Sequence, residues 1–252
     1  MTTDTLTARE PAIHRAAPTI TAPAAPRFDM YAAIHKALRS FMCDTLLRTG
    51  RMDVFDPAEL ETMLEQVDSL LTVCLDHIDR ENTFVHTAIE ARRPAGAAHT
   101  ADDHIGHLES IASLRGDVVA LRAATHASRP ALAHKLYHHL ALFVAENFQH
   151  MHVEETANNA ALWALYTDAE LIEIHDRLLA SIAPAKELQI MRWMIPACRP
   201  MERAMILGHG KSLMPPEAFL GILAAVRPYL DDAGWAKLAP AVGVPVQTFA
   251  AR

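Results

Sequence analysis

The chain has 252 residues, 51% of them hydrophobic and 6% aromatic, with only 9 glycines and a net charge of −7. That length can bury a full core without staples, and the acidic balance argues against a nucleic-acid footprint. No run of 18 apolar residues suggests a membrane span, no secretory leader stands out, and Cys43, Cys74 and Cys198 are too far apart for a CxxC framework, so a cytoplasmic protein in a reducing compartment is expected.

Residues 1 to about 27 carry Pro11, Pro18, Pro23 and Pro26 and read as a disordered or loosely docked arm. No later segment combines strand-like alternation with turn residues, and the chain reads as all-α. A first helix is expected from about Phe28 to Arg48, ending near Gly50, with the seam Phe28, Tyr31, His35, Leu38, Met42, Thr45. Asp56-Pro57 opens a second helix as cap and first-turn proline, and it continues to about Arg92. Its seam is Leu60, Met63, Val67, Leu70, Cys74, His77, Glu81, Phe84, Ala88, in alternating steps of three and four. Thr100 is the expected cap of a third helix with the seam His104, His107, Ile111, Leu114, Val118, Leu121, ending before Ser128. A fourth runs from near Pro130 to about Leu165, with Leu132, Leu136, Phe143, Asn147, His150 and Glu154 inward.

Four long helices with short connections predict an up-down-up-down four-helix bundle over residues 28–183, counting a fifth helix that opens with the capping box Thr167–Glu170. Residues 184–252 are broken by Pro196, Pro200, Pro215, Pro216 and Pro228 and predict short helices packing on the bundle or forming a small C-terminal appendage.

The chemistry lies in the seams. An unpaired buried carboxylate costs several kcal/mol, and a metal ion is one partner that satisfies it. His77 and Glu81 are one helical turn apart and can reach one point; His150 and Glu154 repeat the spacing. His35, His104 and His107 add imidazoles from two other helices. Imidazole and carboxylate without cysteine suit iron, manganese or zinc, and carboxylates able to bridge suit two metals. A turn near residue 129 would set His107 level with His150. Glu146, a turn before His150, is placed to orient it or compete as a ligand, and Tyr31, a turn before His35, is a candidate donor beside the centre. His139 lies on the His150 face but about 16 Å away, and is a candidate for an accessory role. His86, His99, His126, His134, His152, His175 and His209 lack a partner at ligand spacing and are expected to be structural or exposed. Neither the Glu-x-x-His repeats of ferritin-like oxidases nor the His-Glu-x-x-His of zinc proteases is present.

The order His35, His77-x3-Glu81, His104/His107, His150-x3-Glu154-Glu155 resembles the hemerythrin-like (HHE cation-binding) domain family over about residues 28–165, with "ENFQHMHVEE" most similar to its helix-four signature. The resemblance implies a four-helix bundle around a bridged non-haem di-iron centre, with iron ahead of manganese or zinc. It implies that Glu81 and Glu154 bridge, that His35 and His77 serve one iron, and that His150 with His104, His107 or both serves the other. The chain departs from the oxygen carriers in two ways. Its helix-three histidines are three apart rather than four, and where the carriers place a carboxylate five residues after the histidine, Glu155 meets that spacing while Glu154 fits the seam better. The expected function is binding of O2 or a related small ligand for sensing, storage or delivery, more a binding protein than an enzyme. The alternatives are a di-iron enzyme acting on peroxide or nitric oxide, and a metal-gated regulator with a protein partner at residues 184–252. No nucleic acid or membrane partner is expected.

Overall fold

In the computed structural model, which describes residues 27–249, prolines and capping side chains set most of the helix starts, and the described residues form helices and no strands. α1 spans Ala32–Arg51. α2 spans Pro57–Arg80, capped by Asp56, which accepts from the backbone N–H groups of Ala58 and Glu59, with Pro57 where no amide donor is needed. A π-helical turn over Glu81–His86 carries the same rod into α3, Thr87–Arg92. α4 spans Ala98–Arg122 and α5 Arg129–Val153. A second π turn, Glu154–Asn158, joins α5 to α6, Asn159–Leu165. α7, Asp168–Ala180, starts with the capping box read from Thr167 and Glu170. The chain then forms α8 (Pro184–Ala197), α9 (Pro200–Leu213), α10 (Pro216–Val226), a 3-10 turn at Arg227–Tyr229, and α11 (Asp232–Ala241).

The four long rods pack as a ring: α1 against α2 and α5, and α4 against α2 and α5. Their contacts run in opposite directions along each pair. His35 meets Glu155 while Gly50 meets Tyr137, and His104 meets His150 while Asp117 meets His139. The inward residues are the seams read from the sequence. Leu38, Met42, Leu60, Val67, Leu70, Cys74, Ile111, Leu114, Val118, Leu136 and Phe143 form one buried cluster. Burying a leucine or phenylalanine contributes about 1.5–3 kcal/mol each, so this cluster dominates the stability of the ring.

α1 ends at Arg51, near Gly50 as expected, and the helix runs through that glycine. Its missing side chain makes room for Tyr137, whose ring would lie 2.8 Å from an added Cβ. Thr100 is not the cap of α4, which starts two residues earlier; its hydroxyl is spent inside the protein. The C-terminal stretch forms short helices, as expected. α8–α11 enclose their own core of Ile195, Leu207, Phe219, Leu223, Trp235 and Leu238. α8 also packs along α1, with Trp193 stacked on Phe41 at a ring distance of 4.1 Å. α11 was not anticipated, because its only large apolar anchors are Trp235 and Leu238. The expected N-terminal arm, residues 1 to about 27, falls outside the described residues except for Arg27, which ion-pairs with Asp168. Among the described residues, no helix is long and apolar enough to cross a membrane.

Candidate metal centre

Six side chains converge in the ring. α1 supplies His35, α2 His77, the first π turn Glu81, α4 His104, α5 His150 and the second π turn Glu154. Glu154 and His35 are fully enclosed, and Glu81 is 3% exposed. The ligand atoms fall into two sets. One is His35, His77, Glu81 and Glu154; the other is Glu81, His104, His150 and Glu154. Both carboxylates belong to both sets. Within each set the atoms lie within 4.8 Å of one another, slightly wider than the about 4.2 Å across one ion with ligand bonds near 2.1 Å.

The distances show the sharing directly. Glu81 Oε1 is 3.1 Å from His77 Nε2 and 3.6 Å from His35 Nε2, while its Oε2 is 3.4 Å from His104 Nε2. Glu154 Oε2 lies 3.4 Å from His35 Nε2 and 3.3 Å from His150 Nε2. These approaches are not aligned as hydrogen bonds. Both oxygens of Glu81, both of Glu154, and Nε2 of His35 and His77 are buried without a hydrogen-bond partner. Six orphaned polar atoms aimed at one spot are costly, and two divalent cations would satisfy all of them.

The backs of the imidazoles are held in a matching way. His35 Nδ1 donates to Glu155 at 3.0 Å, and Arg39 grips both oxygens of that carboxylate. His104 Nδ1 donates to Asn82 Oδ1 at 2.8 Å, and His150 Nδ1 to Asp103 at 3.3 Å. An acceptor behind Nδ1 keeps the proton there and leaves the Nε2 lone pair for a metal. Burial pushes His35 down, but the Glu155 hydrogen bond and the charges of Glu81 and Glu154 outweigh it and bring the ring to about 9. Burial would raise the Glu81 carboxyl; the charge of His77 and the nearness of His104 and His35 hold it well below its usual range.

The remaining expected residues separate. His107 is buried, but it belongs to neither ligand set, and its ring sits edge-on to His150 at 4.8 Å with Nδ1 unpartnered. The α4–α5 connection spans residues 123–128, so its midpoint falls near residue 126 and the level opposite His150 shifts from His107 toward His104. Glu155 faces His35 and Arg39 from the rim rather than the middle of the centre. Glu146 is exposed, and Asn147 takes the inward place beside it. His139 is far from the centre and donates to the buried Asp117, which Lys135 also binds. Tyr31 is buried against His35, with ring centroids 5.1 Å apart.

His86 was missed. It is 5% exposed, its ring stacks on His104 at 4.9 Å, and its Nε2 is 4.0 Å from Glu154 Oε1. In an α-helix a residue five places after Glu81 is about 140° away from it around the axis. The π turn closes hydrogen bonds over five residues instead, swinging His86 back beneath Glu81. The same slip buries Val85 and Ile89, where an unbroken seam would have placed Phe84. A His five residues after a seam Glu was the available signal, legible only to a reader allowing a π turn.

Comparisons of the chain with protein-family models, with curated proteins and with solved structures found no match in any of the three.

Proposed function

We propose that this chain is a hemerythrin-like protein whose ring of long helices is an up-down-up-down bundle built to hold two bridged non-haem iron ions. We infer that it binds O2 or a related small ligand for sensing, storage or delivery in the cytoplasm. The observation that carries this reading is the pair of His/Glu ligand sets sharing Glu81 and Glu154, with their inward atoms unpartnered. Two imidazoles and two shared carboxylates per ion, without thiolate, suit iron, manganese or zinc, and the resemblance to the hemerythrin-like family puts iron first. They also leave each ion short of six ligands, so small molecules have room to bind.

When bound, a di-iron pair would supply redox-active positions for a diatomic or peroxide-sized ligand. The chain's own part is to hold and enclose. Glu81 and Glu154 would hold both ions, Glu155, Asn82 and Asp103 orient the imidazoles, and Leu38 and Phe143 keep bulk water from one side. Elemental analysis of the protein expressed with adequate iron tests the reading. Two irons per chain support it; folded protein with near-zero metal defeats it.

A second reading, a metal-gated regulator, draws on one specific feature. The C-terminal helices clamp residues beside the ligands: Lys186 pairs with Asp76, next to His77, and Glu202 with Lys36, next to His35. Limited proteolysis with and without metal tests it, since a coupled unit becomes more cleavable at residues 184–249 once metal is removed.

A further inference from the structure

The ligand layer has two unlike neighbours. Deeper in the ring lie Leu38, Cys74, Phe143, His107 and Asn147, where the Asn147 amide is already spent on the Phe143 carbonyl. On the other side, one turn out from the ligands on each rod, lie Tyr31, His86, Thr100 and Asn158. All four are polar, at most 5% exposed, and drawn from four different segments. Each π turn contributes one of them at its end.

Their hydrogen bonds form one chain with a loose end. Asn158 Nδ2 donates to Tyr31 Oη at 3.4 Å and to Thr100 Oγ1 at 3.2 Å. The Thr100 hydroxyl donates to the Ala97 carbonyl at 3.1 Å, so His86 Nε2 is the donor in its 3.1 Å contact with Thr100. Tyr31 accepts from Asn158, but its own proton has no acceptor among the described residues. A buried donor left unmatched is costly, and natural proteins seldom keep one without use.

Resting on the paired-cation reading above, we propose that this polar layer is the binding wall for a small anionic ligand of the centre, and that the Tyr31 hydroxyl donates the hydrogen bond that positions it. The ligand class follows from the wall. An anion of azide or peroxide size offers both an atom for the metal and a second atom to accept from Tyr31. A neutral diatomic such as nitric oxide is a poor acceptor and gains little. Asn158 acts by holding the Tyr31 oxygen, which makes it a positioning residue.

The test uses the full chain purified with iron, azide as the anionic probe and nitric oxide as the neutral one, both followed optically. Tyr31→Phe removes only the hydroxyl. It should keep the iron content of the parent, weaken azide by about 10-fold, and leave nitric oxide within about twofold, as loss of one hydrogen bond to an anion predicts. Asn158→Ala, which frees the hydroxyl from its bearing, should shift the same way by a smaller factor, and decides the matter if Tyr31→Phe does not hold iron. Equal losses for azide and nitric oxide, or azide unchanged with iron retained, would overturn the proposal. Absence of iron from the unaltered protein would defeat the metal reading itself and this inference with it.

Discussion

The Nε2 atoms of His104 and His150 face each other at 2.9 Å across the α4–α5 interface. Each ring donates from Nδ1 to an oxygen behind it, Asn82 for one and Asp103 for the other. Two lone pairs brought head to head repel unless a cation or a shared proton lies between them. Burial lowers His150, but the charge of the nearby Glu154 carboxylate outweighs that and raises it.

Stripping metal should therefore weaken the fold. The Glu81 and Glu154 oxygens have no hydrogen-bond partner among the described residues, and removal of the cations would leave them unsatisfied. Ligand present at 100 times its dissociation constant stabilises by about 2.7 kcal/mol, and a drop of at least that size is expected between loaded and chelated protein. Calorimetric scans of the two forms measure it, and identical melting would count against any metal at this site.

Glu81→Ala and His77→Ala should differ. Glu81 belongs to both ligand sets, so its loss should release both ions and destabilise the ring of helices. His77 belongs to one set only, so His77→Ala should release or loosen a single ion. Metal content per chain distinguishes the two, and Glu81→Ala retaining both irons would reject the assignment.

His107→Ala should keep both ions. The ring is buried but outside both ligand sets, so the variant should lose packing against Phe143 and His150 rather than a ligand. Truncating a large buried side chain costs about 2–4 kcal/mol, visible in chemical denaturation. Loss of one iron instead would place His107 back among the ligands.

The metal-free protein should be most stable near pH 6.5. His86 and His107 are pushed down to about 4, first by burial and then by neighbouring imidazoles. Between about pH 6.5 and 4 the unfolded chain takes up protons that the fold refuses, so stability falls as pH falls through that window. His35 has the opposite sign. Its raised value, about 9, contributes stability that is complete below about pH 6.5 and fades as pH rises toward 9. Denaturation of chelated protein at acid, near-neutral and alkaline pH checks both arms; a midpoint that climbs steadily with pH would contradict the His35 arm.

Much of the site was legible because helical periodicity is a local property. His35, His77, Glu81, His104, His150 and Glu154 share spacing with Leu38, Cys74, Ile111 and Phe143, which are buried for hydrophobic reasons. Wherever the rods stay α-helical, that spacing turns these side chains inward whatever the neighbours are. Thr167–Glu170 and Asp56-Pro57 were legible for the same reason, since a cap is made within a few residues.

What the sequence determined by itself, then, is the set of inward faces and the chemistry they carry. Tertiary structure alone decided which inward groups meet. The six-residue connection between α4 and α5 sets their relative level, and so places His104 rather than His107 against His150. The two π turns re-aim the rods just past Glu81 and Glu154, bringing His86 and Asn158 to a layer that α-helical spacing would have denied His86. Glu154 enters the centre and Glu155 stays at its rim because Arg39 and His35 of a different helix hold the second carboxylate there. Levels, turns and cross-helix partners depend on residues far apart in the chain, and periodicity along one helix carries no record of them.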